Sequence, residues 1–294
     1  MSAPGTLNGL LTEGTRALDA AGVENAAYDA AELLGHVTGR SAADLRLRGD
    51  EPVREEDAER YRALIARRSE HYPLQYLLRE WDFYNLSFSV KEGVLIPRPE
   101  TELLVELALQ HLQRYHREGR PARVLDLCSG SGCVGITVER NFANCDVTAL
   151  ELSDDACDII RGNMARNGTE RFRLIQGDLF QGPAAFGLER ADVILANPPY
   201  LTEDEMRSLQ TEVGYEPALA LYGGADGLDF YRAIAKLYAP VLETGGLLAV
   251  EIGEQQGEEV SRIFADFSDN IKVLRDFAGL PRVVVSGLSF SLTI

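Results

Sequence analysis

The chain has 294 residues, 45% hydrophobic and 26% charged, a composition that supports an apolar core of ordinary size and argues against intrinsic disorder. A formal net charge of −17 repels phosphate backbones at long range, which weighs against a DNA or RNA substrate and suits a protein partner better. No window approaches the roughly eighteen consecutive apolar residues of a membrane span, and Met1–Thr6 lacks the basic and apolar regions of a secretory signal. Cys128, Cys133, Cys145 and Cys157 form no Cys-x-x-Cys pair and have no histidine nearby to complete a zinc set. The expectation is a cytoplasmic chain with reduced thiols and no metal.

The first third reads as helical. Leu7, Leu10, Leu11 and Leu18 recur at helical spacing before Gly22, Tyr28–Val37 is amphipathic and stops at Gly39, and Ser41-Ala42-Ala43-Asp44 has the form of a capping box. Residues 52–69 give another long helical pattern. Trp81–Tyr84 and Leu86–Val90 alternate and are aromatic-rich, which predicts a β-hairpin turning near Asn85. In Leu95–Glu102 two prolines one residue apart hold the chain extended and exposed, and Glu100 or Thr101 opens a helix to about Tyr115.

Beyond Pro121, strands and helices alternate. Strands are predicted at Arg123–Leu127, Asp146–Leu152, Phe172–Gln176, Ala191–Ala196 and Leu247–Ile252. Helices are predicted from about Gly132, at Asp154–Arg166, at Leu228–Leu242 closed by Gly245-Gly246, and at Glu258–Phe267. Ile271–Phe277 and Arg282–Ser289 end the pattern as adjacent strands joined by a short turn. The pattern calls for a mostly parallel sheet covered on both faces, with one antiparallel strand at its end.

Chemistry-bearing residues collect at the predicted strand ends. Asp126-Leu127-Cys128-Ser129-Gly130-Ser131-Gly132 lies where the first of these strands runs into its helix, where small residues let backbone N–H groups approach a ligand. A glycine turn alone is weak. Glu151 ends the next strand, where it can accept hydrogen bonds from both ribose hydroxyls, and Asp178 ends the third, where it can take the exocyclic amine of adenine beside Leu179. A single strand-end acid is commonly a helix N-cap, but three at successive strand ends point to an adenosine ligand. NAD competes for this pattern, although Cys128 occupies the first glycine slot of G-x-G-x-x-G.

The fourth strand end decides between them. Asn197-Pro198-Pro199-Tyr200 follows an apolar run, and its prolines make a rigid turn at the sheet's edge. An amide or aryl NH2 is a poor nucleophile, since its lone pair is delocalised. The Asn197 side-chain oxygen and the Pro198 carbonyl can accept its two N–H bonds, aim the nitrogen at a sulfonium methyl and favour the charge that develops on it. Tyr200 offers an aromatic face to a flat substrate group. These residues point to methyl transfer from S-adenosylmethionine to a planar NH2.

The helical region, Pro73–Leu78, Leu95–Glu102, the glycine turn, Asn197–Tyr200, Glu216–Leu221 and Gly227-Leu228-Asp229 occur in an order that resembles the HemK/PrmC-type methyltransferases, which modify the glutamine of the Gly-Gly-Gln motif in peptide chain release factors. The resemblance implies a seven-stranded Rossmann-like class I methyltransferase sheet. It further implies a small N-terminal helical-bundle domain for substrate recognition over residues 1–80, a connecting β-hairpin over 81–100, and a methyltransferase domain over 101–294. It places cofactor contacts at Cys128, Ser129, Gly130, Ser131, Gly132, Glu151, Leu179 and Asn197, beside the cofactor-binding acids Asp126 and Asp178 that the strand ends single out. Asn197, Pro198, Pro199 and Tyr200 would hold the glutamine amide, with Arg98, Pro99 and Glu100 shaping the channel. Three departures stand out: Cys128 for a glycine, Glu151 for a frequent aspartate, and Leu179 for an aromatic. The implied partner is a release factor, met by a monomer without direct nucleic-acid contact. The alternatives are a ribosomal-protein glutamine methyltransferase, an adenine-N6 DNA methyltransferase, and a non-catalytic S-adenosylmethionine sensor.

Overall fold

The computed structural model describes residues 5–116 and 119–287. The chain forms two compact units, one of Met1–Glu80 with Gln210–Tyr215 and the other of Trp81–Leu209 with Glu216–Ile294. The first unit therefore takes in a short segment from far along the chain, which no local periodicity announces.

Within it, α1 (Leu7–Ala20) buries Leu7, Leu10, Gly14 and Leu18 on one face, and Thr6 caps it by accepting from the Gly9 N–H. The second helix, α2 (Ala26–Thr38), ends at Gly39 in the left-handed region, and Ser41 caps α3 (Ala42–Leu47). The fourth, α4 (Glu55–Ser69), packs on both α1 and α2. A fifth helix, α5 (Leu74–Leu78), follows Pro73, where no helix is expected from the sequence. Arg68 is the polar centre of this unit. Its guanidinium donates to Asp29 at 2.7 Å and Glu212 at 2.6 Å, and the Arg68 and Asp29 side chains are each only 6% exposed. Burial pushes the Asp29 carboxyl up against the pull of Arg68.

In the second unit, β1 (Glu80–Phe83) and β2 (Leu86–Ser89) make the expected hairpin. Its turn residue Tyr84 takes φ 59°, held there by an N–H bond to Glu102 and a hydroxyl bond to Glu106, both 2.7 Å. The main sheet contains β3 (Ala122–Leu127), β4 (Cys145–Glu151), β5 (Phe172–Gln176), β6 (Ala191–Ala196), β7 (Leu242–Glu251), β8 (Ile271–Arg275) and β9 (Pro281–Ser286), in the order β5-β4-β3-β6-β7-β9-β8. Pairings from β5 to β7 are parallel, and both pairings of β9 are antiparallel. Side chains alternate between two apolar clusters, one per face: Val124, Val193, Leu195 and Ala249 lie in the first, Leu125, Ile194, Ala196 and Val250 in the second. The first is covered by α6 (Glu102–Tyr115) and α7 (Cys133–Asn141), with Ile160 of α8 (Asp154–Asn167) joining it. The second is covered by the Asp229–Val241 helical run and α11 (Gly257–Ala265), while α9 (Glu203–Arg207) buries no residue of its own. Among the described residues no helix is long and apolar enough to cross a membrane.

Two expectations are corrected. The single helix over Leu228–Leu242 is instead α10 (Asp229–Ala233), a π turn at Ile234–Tyr238 and a 3-10 turn at Ala239–Val241. Pro240 lacks the N–H that would bond Lys236, and its ring would clash with that carbonyl, so regular helix cannot run through it. Gly245-Gly246 then lies inside β7, at an irregularity opposite Ala191–Val193, rather than closing a helix. The strand predicted to Phe277 stops at Arg275, because Asp276 Oδ1 accepts the Ala278 and Leu280 N–H groups and turns the chain. Of the strand expected at Arg282–Ser289, Leu288 and Ser289 lie outside the described residues.

Removing Arg68 leaves the buried Asp29 carboxylate without its cation. Arg68→Ala is expected to lower unfolding free energy by about 3–5 kcal/mol, measured by urea denaturation followed by circular dichroism.

Candidate active site

The sheet order reverses between β3 and β6: from β3 the chain proceeds outward through β4 and β5, and from β6 toward β7. A crevice opens beyond the carboxyl ends of two such strands. Here it is a cavity of about 930 Å³, open mouth included, with Cys128, Gly130, Glu151, Asp178, Leu179, Asn197 and Pro199 among its walls. A smaller neighbour of about 380 Å³ shares Cys128, Gly130 and Asn197 and adds Arg98, Asp126, Ser129 and Ser131. Gly132, Pro198, Tyr200, Pro99 and Glu100 border neither.

The glycine turn keeps the shape its sequence requires. Cys128 takes φ 57°, a left-handed conformation that costs a side-chain-bearing residue about 1 kcal/mol. Asp126 does not face the larger cavity. Its Oδ2 accepts the Ser129 hydroxyl at 2.6 Å and the Gly135 N–H at 3.0 Å, tying the turn to α7, and burial raises its carboxyl to about 6. Gly135 must remain a glycine, since a Cβ there would sit 2.8 Å from Asp126 Oδ2. At Gly130 the space of a Cβ is open, leaving a cradle beside the backbone.

Glu151 accepts the Gly130 N–H at 2.8 Å through one oxygen and the Leu152 and Ser153 N–H groups at 2.9 Å through the other. A carboxylate has about four acceptor sites, so one strong site remains for a ligand hydroxyl. Burial raises this carboxyl, and the three backbone donors oppose the shift. Asp178 caps the short 3-10 turn at Leu179–Gln181 through Oδ1, bonding the Phe180 N–H at 2.9 Å; among the described residues its other oxygen carries no such bond. Leu179 is buried, and the missing aromatic is supplied one residue later: Phe180 lines the cavity with Phe230, ring centres 5.1 Å apart.

Asn197 leaves β6 into the two prolines. Its Nδ2 donates to Thr101 Oγ1 at 3.2 Å, and Thr101 Oγ1 donates to Glu251 Oε2 at 2.6 Å. Burial raises the Glu251 carboxyl to about 7, against the pull of Thr101 and Arg282. The Tyr200 ring packs against the second apolar cluster, and burial raises its hydroxyl to about 12. Gln256 donates to the carbonyls of Tyr200 at 3.0 Å and Gly227 at 3.2 Å. The turn is seated on Gly223, where a Cβ would stand 2.6 Å from the Pro199 carbonyl oxygen and 2.7 Å from Tyr200 Cα. Arg98 pairs with the buried Glu216, whose other oxygen accepts the Ile96 N–H at 3.0 Å; Glu216 thereby clips the two-proline segment in place, and Ile96 and Pro97 are buried where an exposed segment was expected.

Sequence reasoning thus missed Thr101, Gln256, Gly223 and Glu251. Thr101 and Glu216 had one available signal, their place in the Leu95–Glu102 and Glu216–Leu221 segments, whose chemistry was not evident.

Two outcomes follow. Gly223→Ala is expected to push the Asn197–Tyr200 turn outward, costing about 1–3 kcal/mol of stability by the overpacking rule together with most methyl-transfer activity, read from urea melts and turnover. Glu251 has a folded pKa raised above its unfolded value, so its contribution to stability is full below the ordinary carboxyl value of 4.5 and lost as pH rises through about 7. The melting-temperature difference between wild type and Glu251→Gln should therefore shift against wild type between pH 5 and 8 in scanning calorimetry.

Two family models match the chain: the PrmC N-terminal domain over residues 9–78 and the methyltransferase small domain over residues 101–213. The release factor glutamine methyltransferase of Clostridium acetobutylicum is 36% identical, over 88% of this chain and 90% of its own length. That of Geobacter sulfurreducens is 39% identical, over 90% of each. Among solved structures, the hMettl16 catalytic domain in complex with MAT2A 3′UTR hairpin 6 superposes with a TM-score of 0.51 at 12% identity, covering 70% of this chain and 78% of that one. That likeness is one of fold alone; with the methyltransferase small domain matched by sequence, the sheet is of the Rossmann-like class I methyltransferase type. Sequence identity of this extent along nearly the full length of both relatives makes the chain an enzyme of the release factor glutamine methyltransferase family.

Proposed function

We propose that the chain transfers a methyl group from S-adenosylmethionine to the side-chain amide nitrogen of the glutamine in the Gly-Gly-Gln motif of a peptide chain release factor, acting as a cytoplasmic monomer. The observation that carries this is one shared wall: Asn197 lines the same cavity as Gly130, Glu151, Asp178 and Leu179.

The residues present fit an adenosine-bearing cofactor. Glu151 retains an acceptor site for a ribose hydroxyl, and Asp178 retains an oxygen for an exocyclic amine. Leu179, Phe180 and Phe230 offer apolar walls to a ring, and Gly130 lets the backbone come close. When bound, S-adenosylmethionine supplies an electrophilic sulfonium methyl. The protein's work is then positional. The Asn197 Oδ1 and the Pro198 carbonyl accept the two N–H bonds of the glutamine amide, draw its nitrogen into line and stabilise the charge that grows there. Pro198 and Pro199 keep that turn from bending, and the proton leaves after transfer. Arg98, held by Glu216 at the wall of the smaller cavity, shapes the approach for the substrate together with the adjoining Pro99 and Glu100, and the N-terminal helical unit recognises the release factor. The −17 net charge supports a protein substrate over a nucleic acid.

The test incubates the enzyme and methyl-labelled cofactor separately with a release factor, ribosomal proteins and duplex DNA. The expected result is one methyl on the release-factor glutamine, with Asn197→Ala slower by about 100-fold or more, the usual scale for losing a charge-stabilising acceptor or donor. Transfer to DNA or to a ribosomal protein alone, or full activity in Asn197→Ala, overturns it.

A further inference from the structure

An asparagine side chain has two ends of nearly equal size and opposite hydrogen-bonding sense. At Asn197 only one orientation is useful to the proposed chemistry. The oxygen must accept from the substrate NH2, because an NH2 turned toward an NH2 offers no acceptor. Something must therefore choose the end.

We propose that Glu251 and Thr101 are positioning residues that set the orientation of the Asn197 amide through a directional hydrogen-bond chain, an inference that rests on the glutamine-methylation reading. The direction begins at Glu251 at the end of β7. As a carboxylate it only accepts, so the single proton of the Thr101 hydroxyl, 2.6 Å away, is committed to it. Thr101 Oγ1 then has only lone pairs to offer Asn197, and at 3.2 Å it takes the Nδ2 donor. Turning the amide over would set Asn197 Oδ1 against those lone pairs. Asn197 Oδ1 itself makes no hydrogen bond among the described residues, and so remains an acceptor for a substrate. Thr101 and Glu251 are both about 2% exposed, so water does not scramble the chain.

A protonated Glu251 would undo this. Its O–H could donate to Thr101, whose hydroxyl would then swing to Asn197 and favour the inverted amide. The charged and titratable groups facing Glu251 are Arg282 of β9, Arg98 and Glu100 before α6, Tyr200 after β6, Cys133 of α7 and Tyr231 of α10, whose hydroxyl bonds the Glu251 carbonyl at 2.9 Å. Burial dominates over the two arginines and raises the carboxyl to about 7. Transfer should accordingly rise with pH through neutrality. Asp126, raised to about 6, is the other nearby source of such a limb.

Thr101→Val keeps the shape and removes the hydroxyl, while Thr101→Ser keeps the hydroxyl. Measured as single-turnover transfer to release factor, with cofactor affinity from calorimetry alongside, Thr101→Val is expected to fall about 10- to 100-fold, the scale of a misplaced acceptor. Its cofactor Kd should stay within about threefold and its acid limb should vanish, while Thr101→Ser recovers most of the rate and the limb. The inference is overturned by near-wild-type transfer in Thr101→Val, by equal losses in both variants, or by an acid limb that persists in Thr101→Val and so belongs to Asp126. Asn197→Ala, run in parallel, separates the two ideas. Its full activity would sink the methyl-transfer role of Asn197, whereas its loss beside an active Thr101→Val would sink only the chain from Glu251.

Discussion

A parallel strand cannot return directly to its neighbour, and that constraint shapes the whole catalytic unit. Each crossover must pass over a face of the sheet, so β3 and β6, which are adjacent, send their chains away on different routes. The space between those departures is left unfilled by either connection. Cys128 and Gly130 reach it from β3, Asn197 from β6, and the neighbouring strands contribute Glu151 and Asp178 from the same edge. The cavity is a consequence of topology, and the residues at the strand ends give it chemistry.

Its precision comes from buried polar groups that are already committed. Asp126 has taken a hydroxyl and an N–H, Glu151 three N–H groups, and Glu216 a guanidinium and an N–H. Asn163, fully buried, bonds both backbone groups of Ser89 and the carbonyl of Ser131, fastening the hairpin and the glycine turn to α8. Each is a backbone clip made by a side chain. Breaking one strands a buried partner, which is costly compared with the modest net worth of making the bond.

What could be read from the sequence was what is local. Short apolar runs at Val124–Leu127 and Val193–Ala196 mark strands of a sheet covered on both faces, and the acids and glycines at their ends mark the site. Asn197 was legible for the same reason. Thr101 and Glu251 were not: one reads as a helix opener, the other as the end of an apolar strand, and they meet across 150 positions of chain. Phe180 carries no local mark in the sequence, since only the fold shows that it, and not the buried Leu179 alone, faces the cavity beside Phe230. The Leu228–Leu242 misreading shows the reverse failure, where apolar spacing ran smoothly through a proline whose missing N–H prohibits the helix.

The Arg68 cluster bears on how this protein can be taken apart. Because Glu212 shares the guanidinium with Asp29, and Gln210–Tyr215 belongs to the helical unit, that unit is not encoded by one uninterrupted stretch. A fragment ending at Glu80 would carry the cation but lose one of its counterions. A graft of this unit onto another sheet would need two junctions in the gene rather than one. Recombination by a single crossover is thereby discouraged, which ties the inheritance of the helices to that of a loop more than a hundred residues away.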